Sequence, residues 1–423
     1  MIAGTAIGGG ILAAPAATAP AGFLPSTCAL LVAWWYMLVS GLLLSELSIN
    51  RMGETGKASG GILELYKSSL PPSLSFVATS AYFLLHYAVM VAYFAQGGIN
   101  LDAFLHSSSI PVLDQMIQIP GIGQFLFASA IGSSLFFANK ENVVKLNNTL
   151  VLGVLASFFG ILGIGAQTAN FSELFSFENQ HPDQVVNAFP ILFLSIVYQN
   201  VVPTVVSQLE GDRRKIRNAL LLGTSAPLLM LIGWNAVILG NVLGVSSAVT
   251  SDILAGNLDP IQLVQNGGNG GPLLSNLVSV FSELAIVTSL IGFVYGMTEA
   301  VGDVAGISST DRERMDLKPL IYSGVLLPPL LLSIINPNIF YDALDYGGAF
   351  GVSTLFLVLP PIMVWKLRYG EEQKQLTTMP MVFGGKITLG SLWKAAATLI
   401  LEQGAEKIGL FDWIHEHIHL PEF

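Results

Sequence analysis

Three glycines in a row, Gly8, Gly9 and Gly10, interrupt the apolar stretch AGTAIGGGILAAP at residues 3–15. Each weakens a helix by ~1 kcal/mol relative to alanine, and a bilayer offers no water to the backbone groups that such a break frees. A second interruption lies within NAFPILFLSIVYQNVVPTVVSQLEGD, residues 187–212. There Tyr198, Gln199 and Asn200 are polar, and Pro203 removes a backbone donor and disfavours helix just before it. Bare amides at the start of a half-helix attract an anion, and bare carbonyls attract a cation. The chemistry on offer is noncovalent capture of a small zwitterion. Its carboxylate is expected at Gly4, Thr5, Gly8, Gly9 and Gly10, facing Tyr198, Gln199 and Asn200 in the second break. Tyr87, Phe94, Phe281 and Tyr198 are candidates to line an apolar pocket beside it. The plainer alternative for the glycine run is close packing of small residues between helices.

Two ionisable residues, His86 and Glu283, fall near mid-membrane, where charge is costly and usually functional. Glu283 lies about 200° around its helix from Ala285 at 100° per residue, so it must meet another helix. Either it pairs with His86 as a proton relay, or it is neutral and hydrogen-bonded and holds helices together. Ala285, Thr288 and Ser289 share one helical face, where the hydroxyls either offer ligands or bond back to their own helix. His415, His417 and His419 have alternate spacing suited to a metal on an extended segment, although a terminal tail is more often disordered. NGGNGG at 266–271 reads as a turn in the longest outer loop. VGDVAG and FYDALD resemble intramembrane aspartyl protease motifs but come in the wrong order, and no serine nucleophile or zinc motif is present, so no enzyme is expected.

The elements that position these residues are membrane helices. Of 423 residues 52% are hydrophobic and 11% charged, against about 25% charged in soluble domains. Apolar runs near 1–19, 26–48, 74–98, 122–137, 147–167, 188–209, 218–240, 273–299, 319–335 and 343–365 are suited to spanning ~30 Å of hydrocarbon. A weaker run near 388–408 contains Lys394, Glu402, Glu406 and Lys407, which leaves it either an eleventh span or an interfacial helix. Sixteen of the 18 Lys and Arg fall in alternate gaps between spans, and the gaps near 100–121, 168–187, 241–272 and 336–342 hold none. Basic residues stay cytoplasmic, so odd-numbered spans run outward and even-numbered ones return. The single Cys28 excludes internal disulfides and cysteine-based metal clusters. The chain begins inside its first span, as a shortened gene reading or a removed targeting segment would leave it. No linker divides it, so residues 1–423 read as one membrane domain.

Spans one and six are both interrupted, five apart and opposite in direction. Two inverted five-helix halves, 1–167 and 188–367, each opening on a discontinuous helix, describe a class of secondary transporter. The expected fold is all-α with about eleven transmembrane helices.

Specific residues carry a family resemblance. AGTAIGGGILAAPAATAPAGF closely resembles the first helix of the aromatic amino acid permeases, the tyrosine- and tryptophan-specific proton symporters. The similarity continues through FPILFLSIVYQNVVPTVVSQLEGDRRKIRNALLLG, TSLIGFVYGMTEAV and LPPLLLSIINPNIFYDALDYGGAFG, and spans residues 3–366. LHYAVMVAYFAQ, 85–96, is more similar to the plant and algal branch than to the bacterial one. The resemblance implies the amino acid–polyamine–organocation superfamily, the leucine-transporter fold with helices 1 and 6 discontinuous, and ion-driven import or exchange of an aromatic amino acid. It implies a cation position formed by Ala285, Thr288 and Ser289 with the carbonyls of Gly4 and Ile7, and inner-gate roles for Glu46 and Glu299. The bacterial relatives carry a histidine where this chain has Gln199, which cannot titrate.

The expected partners are an amino acid and the lipid bilayer, with no nucleic acid and no cofactor beyond a coupling ion, H+ or Na+. Sodium coupling, passive uniport or exchange, and channel-like conduction stay open as rivals. The expected location is a plasma or inner membrane, or a plastid envelope.

Overall fold

The computed structural model describes residue 2 and residues 8–56, 60–107, 119–267, 270–307, 316–370 and 376–409, and among these every regular element is helical. The elements are α1 (Gly9–Thr18), α2 (Phe23–Thr55), α3 (Ile62–Ser69), α4 (Pro72–Ser107), α5 (Ile122–Phe137) and α6 (Lys140–Thr168). There follow α7 (Val185–Ser195), α8 (Val202–Gln208), α9 (Arg213–Val242), α10 (Gly271–Val304), α11 (Lys318–Ile335), α12 (Phe340–Tyr346), α13 (Leu359–Tyr369) and α14 (Gly385–Lys407). Between α12 and α13 the backbone winds as twelve residues of π-helix, Gly347–Val358. These three pieces form one continuous tenth span.

Local sequence explains the boundaries. Asp212 caps α9 by accepting from the amides of Arg214 and Lys215. Gly56 ends α2 in the left-handed region at φ 67° and donates to Met52 O, which closes the last turn. Eight helices among the described residues are long and apolar enough to cross a membrane, and α5, at 16 residues, is a shorter apolar one. Exposed apolar side chains such as Val32, Trp35, Leu222, Leu229, Leu327 and Leu331 suit contact with acyl chains.

Helix pairing is selective. α1 packs on α7, α2 on α9, and α4 on α10. α6 packs on α10, and the tenth span packs on α4. α5 lies on α4 and α11 on α10; α2 touches α7 and α9 touches α1.

The weak eleventh run is a full helix, α14, lying antiparallel along the tenth span. Its start places Lys386 Nζ over the rings of Trp365 and Tyr369 at 5.9 and 5.0 Å. In its middle Leu392 O accepts from Tyr36 Oη at 2.7 Å. At its end Lys407 pairs with Asp345. These contacts run along the whole tenth span, although α14 is not among the eight helices apolar enough to cross a membrane.

Candidate functional site

The glycine run at the start of α1 and the break after Ser195 both reach one cavity of about 410 Å3. Gly8 is extended, with φ −154° and ψ −159°, and α1 begins after it. After Ser195 the backbone departs from helix, turns through Gln199–Val201, and resumes as α8 with Pro203 in its first turn, where a missing N–H costs nothing. Gly8, Gly9, Gly10, Tyr198, Asn200 and Val201 all line the space between. Ser195 Oγ donates to Gly10 O at 2.8 Å and stitches the two breaks together.

The remaining walls come from α4 (Tyr82, His86, Val89, Tyr93), α6 (Asn147, Val151, Val154) and α10 (Thr288, Ser289, Gly292, Phe293). On each of these helices the lining residues fall toward the end that joins a basic loop, so the cavity occupies the cytoplasmic half of the bundle. The outer half is filled by Phe158, Trp234 and Phe281, all fully buried, with ring centroids 4.7 to 6.1 Å apart.

The polar lining is sparse. The Gly9 amide donates to Tyr93 Oη at 2.8 Å, which leaves the tyrosine proton available to an anion or to another hydroxyl. Asn147 Oδ1 and Asn200 Oδ1 are buried with no hydrogen-bond partner among the described residues. A buried acceptor left bare is costly, so both atoms mark places for a donor that arrives with water or a ligand.

The sequence-derived candidates divide. Gly4, Thr5 and Ile7 lie outside the described residues, as do His415, His417 and His419. Gly8, Gly9, Gly10, Tyr198 and Asn200 meet at the cavity. Gln199 does not face it: its Nε2 donates to Met37 O at 3.2 Å and its Oε1 accepts from the Tyr198 amide at 2.9 Å. A glutamine beside an unwound turn finds its donors and acceptors in the backbone, so Gln199 braces the break from behind. Tyr198 Oη is likewise held by Met37 O at 3.1 Å, and only its body borders the cavity. Phe94 and Phe281 are fully buried elsewhere, and Tyr87 donates to Gly324 O at 2.7 Å, so none of these three lines the pocket.

Thr288 and Ser289 border the cavity, while Ala285 is buried beside it. Thr288 Oγ1 bonds back to Leu284 O at 2.7 Å, the habit expected of a hydroxyl in a membrane helix, and keeps its lone pairs free.

His86 and Glu283 are not paired. His86 Nδ1 meets Tyr82 O at 2.8 Å, whereas Glu283 Oε2 accepts from Asn100 Nδ2 at 3.0 Å. Asn100 is 14 residues beyond His86 on α4, about 21 Å along the axis, so the relay is replaced by two separate anchors. Glu46 is buried and grips Arg368 with two bonds of 2.6 Å while accepting from Met381 N at 2.8 Å; Glu299 is exposed. Among the described residues no group of three or more His, Cys, Asp and Glu is placed to hold a metal.

Sequence reasoning missed Tyr93, Phe293 and Asn147. Tyr82, His86, Val89 and Tyr93 recur at helical spacing, and that stripe on one face of α4 was the signal.

A tryptophan-specific transport protein of Haemophilus influenzae is 24% identical over 427 residues, 97% of this chain and 96% of the relative. The tyrosine-specific transport system 2 of the same organism is 28% identical over 391 residues, 92% and 91% of the two chains. Glutamine transporter 2 of Aliivibrio fischeri is 23% identical over 408 residues, 95% and 97% respectively. The profile of the tryptophan/tyrosine permease family matches residues 1–401. With that match over nearly its whole length, and apolar helices throughout, this multi-pass integral membrane chain belongs to the tryptophan/tyrosine permease family.

Proposed function

We propose that this protein carries an aromatic amino acid across its membrane by secondary active transport, moving by alternating access on a leucine-transporter fold. The observation that carries the reading is the convergence of the start of α1, Gly8–Gly10, and the helix break at Tyr198–Asn200 on one cavity. Its volume lies in the range of ~300–1,000 Å3 typical of small-molecule sites. The start of α1 suits a carboxylate, and the bare Asn200 Oδ1 suits an ammonium. These groups serve any amino acid, which fits a family whose relatives include a glutamine transporter by name. The walls of Val89, Val151, Tyr93 and Phe293 favour an aromatic side chain.

The helix pairing supports the inverted repeat. Advance every span by five, and the contact of α2 with α7 becomes that of α9 with α1. The contact of α6 with α10 becomes that of the tenth span with α4, and α4 on α5 becomes α10 on α11. This fits halves of 1–167 and 188–367. A cavity in the cytoplasmic half beneath a packed outer half corresponds to an inward-facing state.

For the coupling ion, Thr288 and Ser289 with the carbonyls of Gly4, Ile7 and Ala285 would form a cation position. Proton coupling is the family expectation, and it must bypass Gln199. Uptake into proteoliposomes under imposed proton or sodium gradients tests the proposal. Uphill accumulation of tyrosine or tryptophan under one gradient is expected, and the gradient names the ion. Equilibration without accumulation would replace symport by passive flow, and no saturable uptake of either amino acid would overturn the reading.

A further inference from the structure

His86 is buried in α4 with 3% of its surface exposed. Its ring stacks on Tyr82 at 3.8 Å and tilts against Phe293 at 5.1 Å. Nδ1 lies 2.8 Å from Tyr82 O. A carbonyl can only accept, so Nδ1 carries the proton and the neutral ring leaves a lone pair on Nε2. No bond to Nε2 exists among the described residues. That nitrogen lies near Gly296 on the facing helix, where a β-carbon would stand 3.4 Å from Tyr82 Oη and 3.8 Å from Nε2. Gly292, one turn earlier, does face open space. His86, Gly292 and Gly296 all border the cavity.

The position of this lone pair relative to the breaks matters. Tyr93, which touches Gly9 where the carboxylate would sit, is seven residues from His86 on the same helix. The separation along the axis is about 10 Å. An aromatic amino acid anchored by its carboxylate at the glycines, with its ring laid over Val89 and Phe293, brings its far edge toward Nε2. A hydrogen bond of ~2.8 Å takes up the remaining gap. Phe293 bridges the two ends, 5.9 Å from the Tyr93 ring and 5.1 Å from His86. Asn147 Oδ1, the second bare acceptor, borders the same cavity from α6. Beyond the breaks the site therefore offers two nitrogen- and oxygen-borne acceptors, His86 Nε2 and Asn147 Oδ1, beside the hydroxyls of Tyr82, Thr288 and Ser289.

We infer that His86 is the specificity-determining residue at the ring end of the site, accepting a hydrogen bond from a substrate ring that carries its own N–H or O–H. The inference rests on the transport reading above. A phenol or an indole satisfies Nε2; a bare phenyl strips it of water and supplies no donor. Sites built to bond a substrate donor reject the analogue that lacks it, because their own polar group is left unpaired.

Competition for uptake into proteoliposomes tests this. On the unaltered protein, tyrosine and tryptophan are expected to compete about tenfold or more better than phenylalanine and 1-methyltryptophan, whose indole nitrogen has no hydrogen. His86→Phe should erase that preference while phenylalanine uptake persists, and His86→Gln, which keeps an acceptor, should retain part of it. Equal competition by tryptophan and 1-methyltryptophan on the unaltered protein would overturn the inference, whether or not either variant folds. So would an unchanged preference in His86→Phe. Failure of the transport reading looks different: the unaltered protein would then take up none of the four.

Discussion

Ser195 Oγ divides its proton between Gly10 O, at 2.8 Å, and Ile191 O, at 2.7 Å, so one hydroxyl closes a turn of α7 and fastens it to the other interrupted span. The fit is tight on the other side as well. A β-carbon on Gly10 would stand 2.6 Å from Ser195 Cα, and backbone cannot yield as a side-chain tip can. Gly10→Ala is expected to push the two breaks apart and lower amino acid uptake by about 10- to 100-fold. Surface expression should stay within about twofold of the unaltered protein. Uptake assayed beside immunoblotting checks this, and normal uptake would mean the breaks need not touch.

Gly8 tests the same neighbourhood with a reversible obstacle. Its added β-carbon would stand 2.8 Å from Ser289 Oγ, the end of a small side chain. Gly8→Ala should impair uptake, and the double variant Gly8→Ala/Ser289→Ala should regain a large part of it. If Ser289 also ligates the coupling ion, the double variant should recover substrate binding while its ion dependence stays weak. Substrate binding in detergent, read with and without the ion, separates the two roles.

The pair of Glu46 and Arg368 is almost wholly buried, with side chains 1% and 4% exposed. Removing one partner leaves a charge without its counterpart. Glu46→Gln is expected to destabilise the protein by about 3–5 kcal/mol. Glu46→Met combined with Arg368→Met should restore much of that loss, because two apolar side chains leave no buried charge without its counterpart. Thermal unfolding in detergent gives the comparison, and a double variant weaker than Glu46→Gln would contradict it.

Asp259 gives a pH signature on the outer face. It caps the short helix Pro260–Gln265 through the Ile261 amide and accepts from Tyr341 Oη at 2.6 Å. Burial disfavours its charged form and raises its pKa above the ordinary carboxylate value, more than these bonds lower it. The folded state therefore holds this proton more tightly than the unfolded chain. The contribution stabilises at low pH and fades as pH climbs from about 4, the unfolded value, through the raised folded value. Asp259→Asn keeps a capping oxygen and abolishes the ionisation, so its unfolding temperature should depend less steeply on pH across that window. An identical slope in both proteins would be the contrary result.

Glu283 bonds to Asn100 and stands far from His86. Glu283→Gln can preserve that bond through its amide oxygen. Uptake and its pH profile are expected to be nearly unchanged. A flattened profile would instead assign the carboxyl a part in moving protons.

Much of this was readable from residue types. Lys and Arg in alternate gaps located the spans, because insertion responds to charge in short loops whatever the tertiary fold. The glycine run and the Tyr198–Asn200 stretch marked the cavity, because broken helix in a membrane needs a ligand or close packing. The direction of Gln199 was not readable. A polar side chain at a break can turn inward or toward a neighbour, and Met37, 162 residues away in sequence, decides it. The same holds for Glu283, whose partner is set by how α4 and α10 slide past each other. The π-helical winding of Gly347–Val358 left no trace in periodicity because that stretch is apolar on nearly every face.

That wide winding has a mechanical outcome. It turns three successive carbonyls aside, and each is claimed from outside: Leu355 O by Tyr66 Oη at 2.5 Å, Phe356 O by Ser40 Oγ, and Leu357 O by Tyr36 Oη at 3.2 Å. Tyr36 reaches α14 as well, and Glu46 locks the far end through Arg368. Shearing the tenth span past α2 and α3 would rupture the three carbonyl bonds and the Glu46–Arg368 pair in one stroke. These bonds tie α2, the tenth span and α14 into a single stave.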